Sequence, residues 1–381
     1  MLLRPKKIQS KTGSENLLPL KVGLSKGVRG PVPRRVALGD VGNRSIPTLV
    51  SQPIKKTAAP KCLYASKSIS SVVHNKPHME VEIQELSQAF SSQCLNIQNI
   101  DANEDNPQLV SVYVNDIYNH LRFLEDNHNV SPGFLEGQVI TSKMRAILVD
   151  WLVQVHVRFN LLQETLYLTV AIIDRYLQSI NTTAREQFQL VGVTAMFIAS
   201  KYEEMYCPEV GDFVYITDKA YTKADIIKME VKMLRALNCY ISYPLPLHFL
   251  RRNSKAGSVN STQHHLAKYL MEICLPEYTM CHYKPSMIAA AALCFALKLL
   301  AEDGPVWNDT LTFYSNYSEA YLMPVVCKMA AIVVKNQSSK FQAVRAKYKS
   351  SKCMKISEIH QLTSRLVHTL ANKAGLNSDI H

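Results

Sequence analysis

Glycine is scarce, with thirteen in 381 residues. Loops that wrap a phosphate or turn sharply beneath a nucleophile depend on glycine, whose missing side chain lets backbone approach a ligand closely. The chain has no G-x-x-x-x-G-K, no glycine-rich phosphate loop, no H-E-x-x-H and no G-x-S-x-G. The enzyme classes that carry those signatures are therefore excluded; a triad assembled from distant residues would leave no such trace. No apolar run approaches the roughly 18 residues that a membrane-spanning helix needs. The opening MLLRPKKIQS has no apolar core, so no secretory signal is expected. The nine cysteines are odd in number and irregular in spacing. That argues against a disulfide framework and for a reduced compartment. Cys274, Cys281 and His282 lie near one another in sequence but lack metal-ligand spacing, and no metal or cofactor is expected.

Acidic residues are almost missing from the first part of the chain. Residues 1–78 hold fifteen Lys and Arg against Glu15 and Asp40, with Tyr64 as the lone aromatic. A segment of this kind buries too little apolar surface to offset its conformational entropy, and we read it as a disordered basic tail. The remainder has 28 basic and 29 acidic residues, so the net charge of +12 describes the tail rather than a folded face. Residues 79–104 turn acidic and read as a linker.

Helical periodicity begins after Asn106-Pro107. Val114, Ile117, Tyr118, Leu121 and Leu124 form one stripe, giving a helix to about Asp126. Further helices are expected over 141–159, 163–180, 184–201 and 222–237, with a short helix or turn between Pro208 and Asp218. Thr182 or Thr183 is placed to cap the 184–201 helix. The prolines of Tyr243-Pro244-Leu245-Pro246 interrupt the pattern, because each disfavours helical geometry in the residue before it. A second set is expected over 246–255, 262–275, 285–301, 318–335 and 338–350. Ser286 to Leu300 is nearly uncharged and includes four consecutive alanines, which marks the central buried helix of that set.

Residues 144–152 read MRAILVDWL, too apolar for a surface helix. Periodicity alone makes Met144, Leu148 and Trp151 a core stripe. The run also resembles the first core helix of the cyclin box in A- and B-type cyclins, and further motifs follow in that family's order. These are LQETL (162–166), DRYL (174–177), ASKYEE (199–204), FVYITD (213–218) and PLPLHFLRRNSK (244–255). The resemblance covers roughly 105–365, and LVQV (152–155) with PLPLHFLRR looks like the mitotic B type, in particular its second subtype. It implies an all-α fold: two tandem five-helix cyclin-box bundles behind a disordered basic tail. The expected division is tail 1–78, linker 79–104, N-terminal box 105–240, C-terminal box 241–365 and C-terminal tail 366–381.

The resemblance also implies roles. Arg145 and Asp174 are isolated charges on apolar helices, and the cost of burying a charge independently makes them a structural pair. Leu190 is core on either reading. At the positions of Lys201 and Glu230, cyclins hydrogen-bond backbone groups of a kinase; as bare sequence the two read as solvated charges. Cys239 and Tyr240 fall in the segment that abuts the kinase, and Cys239 departs from the large residue, usually Phe, found there in the family. Met144, Leu148, Trp151 and Gln154 match the patch that captures Arg-x-Leu peptides of substrates and inhibitors. A-type members carry an acid at the position of Gln154, so looser selection of the peptide Arg is expected.

Arg251, Arg252, Lys255, His264 and Lys268 read as a basic face, with His264 and Lys268 one turn apart on their helix. The matching Arg, His and Lys of B-type cyclins form a phosphate pocket, which assigns Arg251, His264 and Lys268. In the tail, Arg35, Leu38, Val41 and Asn43 match a destruction box read by the anaphase-promoting ubiquitin ligase, and Lys55, Lys56, Lys61 and Lys67 downstream could accept ubiquitin. The implied protein is a non-catalytic regulatory subunit. It would activate cyclin-dependent kinase 1 at the G2/M transition, need no cofactor and reside in cytoplasm and nucleus. A DNA-binding double-cyclin factor is disfavoured because the folded part is near neutral and lacks a paired CxxC zinc ribbon. An all-α enzyme is disfavoured by the missing catalytic motifs.

Overall fold

The computed structural model describes residues 97–102, 106–301 and 306–377, with side chains as far as Ala374. The expected tail, with its Arg35-to-Asn43 motif, and most of the expected linker lie outside these residues. Among the described residues the regular structure is entirely helical.

A first group comprises α1 (Val114–Asn127), α2 (Ser142–Phe159), α3 (Gln163–Ser179), α4 (Arg185–Glu203), α5 (Val210–Ile216) and α6 (Lys223–Ala236). Local chemistry sets its boundaries. The Thr141 side chain accepts the Met144 N–H at the start of α2. Asn160, in the left-handed region at φ +52°, returns its N–H to the last carbonyls. Thr222 and Asp225 close a reciprocal capping box on α6. The middle of α4, Leu190 to Ser200, is buried all round, which makes it the axis of this bundle. Gly192 lets α2 come close, since a Cβ there would meet Leu148 Cδ1 at 2.7 Å.

A second group comprises α7 (Pro246–Ala256), α8 (Ser261–Glu272), α9 (Pro285–Leu300), α10 (Asp309–Ser315), α11 (Glu319–Ser338), α12 (Ala343–Tyr348) and α13 (Arg365–Asn377). Its axis is α9, where Ala289 to Ala296 are fully buried. Pro285 opens that helix at a position where no N–H is needed.

The structure corrects several expectations. Neither Thr182 nor Thr183 caps α4; Ala184 holds the cap position without a side-chain bond, and the Thr183 hydroxyl donates to Ile180 O. The helix expected over 338–350 shrinks to α12, because α11 runs on to Ser338. Residues 339–342 then form a connector: Ser339 Oγ accepts the Phe341 N–H, and the Gln342 amide donates to the Asn336 and Ser339 carbonyls. The helix α10 was not expected. The segment 366–381 is not simply a tail, because α13 packs on α11 and buries Val367 and Leu370.

The two groups meet across a seam of specific bonds. Arg145 is 1% exposed and makes a bidentate pair with Asp174 at 2.6 and 2.7 Å, while its third nitrogen donates to Leu275 O at 2.8 Å. Burial opposes the charge on Arg145, but the Asp174 carboxylate overcomes this and holds the guanidinium well above its usual pKa. Buried Glu125 accepts both the N–H and the hydroxyl of Ser286 in the first turn of α9. Asp150 Oδ1 accepts the Ala343 N–H that opens α12. Arg122 donates to the carbonyls of Tyr314 and Ser315 at the end of α10. Gln163 donates to fully buried Glu272, which also receives Lys347 and the Tyr348 hydroxyl. Asp101, ahead of α1, makes a bidentate pair with Arg252 at 2.7 Å and also binds Lys255.

Truncating one member of a buried ion pair strands the other charge. Arg145→Met or Asp174→Asn should each cost about 3–5 kcal/mol in urea unfolding. A loss under about 1 kcal/mol would mean the pair behaves as a surface bridge.

His156 is buried on α2. Its Nε2–H donates to Leu162 O, and Nδ1 has no partner among the described residues. Burial first, then Lys347, pushes its pKa down from 6.5 to about 4. The unfolded chain therefore takes up this proton at higher pH than the folded one. The stabilisation is intact above about pH 6.5 and should fade as pH drops towards about 4, by on the order of 3 kcal/mol. His156→Gln keeps a donor for Leu162 and should flatten that part of the stability–pH curve; an unchanged slope would refute the assignment.

Candidate functional site

The candidate residues fall into three places. At the first, Lys201 lies in the last turn of α4 and Glu230 sits in mid-α6, and the helices bring them into a direct ion pair. The Lys201 side chain is 40% exposed and that of Glu230 12%. The Lys201 ammonium also lies 4.3 Å from the centroid of the Phe197 ring, which restrains the side chain before any partner arrives. Exposed Tyr202, Met205 and Tyr206 follow directly in the chain. Cys239 is exposed in a tight turn after α6, with Asn238 and Cys239 both left-handed at φ +51° and +55°. Tyr240 is half-buried, its ring stacked 4.0 Å from His128 and its carbonyl accepting from Arg175.

At the second place, α2 presents Met144 and Trp151 half-buried and Gln154 exposed, while Leu148 is turned inward against Gly192. Leu148 thus forms the floor of the patch rather than its surface. Ile147, 46% exposed, completes the outer stripe at 144, 147, 151 and 154. Sequence reasoning passed over it, although its helical spacing was legible. Gln154 donates to Asp150 Oδ2 at 3.3 Å, so Asp150 serves both the patch and the seam.

At the third place the basic group divides. Arg252 and Lys255 are engaged by Asp101, away from any shared anion site with the others. Arg251 and Lys268 both lie near enough to His264 for their charges to act on it. Burial first, then the charges of Lys268, His265 and Arg251, pushes the His264 pKa down to about 4. Burial likewise lowers Lys268. His264 Nδ1 shares a hydrogen bond with Ser254 Oγ at 2.8 Å. Arg251 already pairs with Glu164. That carboxylate, in the LQETL motif, is the part of this site the sequence reading missed.

A half-exposed pair contributes little to folding. Lys201→Ala and Glu230→Ala should each change stability by less than about 1 kcal/mol by urea unfolding. A larger loss would make the pair part of the scaffold rather than a surface held ready for a partner.

Comparison with known proteins gives this geometry a setting. Residues 116–242 match the model of the cyclin N-terminal domain and residues 244–362 that of the cyclin C-terminal domain. The chain is 59% identical over 283 residues to a G2/mitotic-specific cyclin-B of Patella vulgata, covering 74% of this chain and 69% of the relative. It is 48% identical over 359 residues to a G2/mitotic-specific cyclin-B2 of Oryzias latipes, covering 89% and 92%. It is 50% identical over 354 residues to the Gallus gallus cyclin-B2, covering 90% and 86%. Among solved structures, a viral cyclin from herpesvirus saimiri superimposes with a TM-score of 0.51 at 21% identity. That match covers 60% of this chain and 99% of the viral one, and supports the fold alone. Two adjoining helical bundles, matched in order by both cyclin domains over most of their length, place this chain in the cyclin family, among relatives of the G2/mitotic-specific B type.

Proposed function

We propose that this chain is the regulatory subunit of a mitotic cyclin-dependent kinase, cyclin-dependent kinase 1, and performs no chemistry itself. The observation that carries the reading is the Lys201–Glu230 pair, which is accessible, restrained by Phe197 and set on two helices of the first bundle. A protein kinase is active only when its αC glutamate meets the β3 lysine and its activation loop is open. A rigid bundle that docks on αC binds that arrangement better than the inactive one and shifts the population towards it. Lys201 and Glu230 would exchange their mutual bond for charge-assisted bonds to kinase backbone, fixing register as well as affinity. Cys239 and Tyr240 would border the same contact.

In this reading the stripe of Met144, Trp151 and Gln154 over Leu148 recruits substrate and inhibitor peptides, and Arg251, His264 and Lys268 take a phosphorylated segment once Glu164 yields Arg251. Arg35, Leu38, Val41 and Asn43 would mark the chain for the anaphase-promoting ubiquitin ligase, ending activity in mitosis. Action at G2/M in both cytoplasm and nucleus is part of the same proposal.

The test mixes the full chain with monomeric cyclin-dependent kinase 1 and follows histone phosphorylation. The parent should activate strongly. The Lys201→Ala/Glu230→Ala variant should bind about 100-fold more weakly, the consequence of removing about 3 kcal/mol of charged contacts. No activation by the folded parent would refute the regulatory role. Equal activation by parent and variant would move the docking surface elsewhere.

A further inference from the structure

The near-neutral balance of the folded part hides an uneven distribution. Residues 335–373 hold nine Lys and Arg against a single acid, Glu358. Three of the nine are engaged: Lys335 with Glu277, Lys347 with Glu272 and Lys349 with Glu358. Lys340, Arg345, Lys352, Lys355, Arg365 and Lys373 make no ion pair among the described residues. All are exposed except Arg345, which is half-buried.

Arg345 lines a small cleft of about 100 Å³ between α11, α12 and the turns over 356–363. Gln337, Ser357, His360 and Thr363 line it as well, so its wall is rich in side-chain hydrogen-bonding groups. Glu358 also lines the cleft and feels the charge of Arg345, but its ion pair is with Lys349, so the half-buried guanidinium keeps donors that an anion from outside can take up. Lys349 and Lys355 lie near enough to act with Arg345 on Glu358, and Lys340, Lys352, Arg365 and Lys373 are exposed along the same stretch of chain, which suits a series of single charges. Uncharged amides and hydroxyls between them suit the peptide groups that would join such charges.

We infer that this end of the second bundle is a docking surface for an acidic, carboxylate-rich peptide segment of a protein partner, seated with one carboxylate on Arg345. None of its six unpaired cations belongs to the three places described above. Nucleic acid is the less favoured occupant. Single strands bind where bases can stack on accessible rings, and the aromatic in this cleft, Tyr269, is buried and packed on Tyr348 at 5.3 Å.

The experiment uses the full chain and a fluorescent twelve-residue peptide rich in Glu and Asp that carries a photo-crosslinking group. The same peptide with Gln and Asn at those positions is the control. Because residues 1–78, with fifteen Lys and Arg, would attract any polyanion, the site of crosslinking matters as much as affinity. Adducts should map to 336–363, the neutral peptide should not bind there, and Arg345→Glu/Lys352→Glu should weaken binding about tenfold. Arg345→Gln/Lys352→Gln, should the charge reversal not fold, should still weaken it about threefold. Adducts confined to 1–78, or affinity indifferent to these substitutions, would overturn the proposal. So would a single-stranded oligonucleotide that displaces the peptide at lower concentration and loses affinity in the same variants.

Discussion

The bidentate bond between Arg145 and Asp174 constrains everything around it. Two charges lie where water is excluded, and neither can be tolerated there alone. The pair therefore fixes the rotation of α2 against α3. With that rotation set, Leu148 meets Gly192, α4 becomes the buried axis, and the outer side of α2 carries Met144, Ile147, Trp151 and Gln154. The remaining Arg145 nitrogen reaches Leu275 O, so the same residue that orients the first bundle also places the second. A hydrophobic contact in this position would hold the helices together without specifying their angle.

Two kinds of polar side chain are visible against that scaffold. The seam residues Glu125, Asp150 and Glu272 are spent on bonds that join the bundles, and burial raises the pKa of Glu125 and of Asp150. Lys201, Glu230 and Gln154 remain reachable from solvent. Buried pairing serves the fold, and exposed pairing leaves a bond that can be exchanged. Asp150 belongs to both kinds, which sets the Gln154 end of the α2 stripe beside the first turn of α12.

Much of this was legible in the sequence. The helices α1 to α4 and α6 to α9 follow from apolar periodicity, and the pairing of Arg145 with Asp174 follows from the cost of two isolated charges on apolar helices. What escaped did so for physical reasons. The short helix α10 has too few turns to show a period. The helix α13 does show one, with Val367, Leu370, Ala371 and Ala374 at helical spacing, but it lies beyond the span of family motifs. The separation of Arg252 from Arg251 depends on Asp101, some 150 residues away, and no local rule anticipates a partner at that distance. Glu164 was likewise invisible as the counter-charge of Arg251, because the two meet only after α3 and α7 are docked.

The seam treats its two sides unequally. Tyr118, Arg122, Glu125, Arg145 and Asp150 contribute side chains, and what most of these bonds grip on the other side is main chain: His248 O, Tyr314 O, Ser286 N, Leu275 O and Ala343 N. A main-chain group is the same whatever residue bears it. The second bundle can therefore drift in sequence at 248, 275, 314 and 343 and keep its docking bonds, while the first cannot change its five side chains so freely. Proline is the exception, since at 286 or 343 it would remove the N–H that is held. At these five places divergence is expected to be lopsided, whereas Glu272, Arg252 and Tyr278, which meet Gln163, Asp101 and the Leu135 N–H through their side chains, are held to their identity.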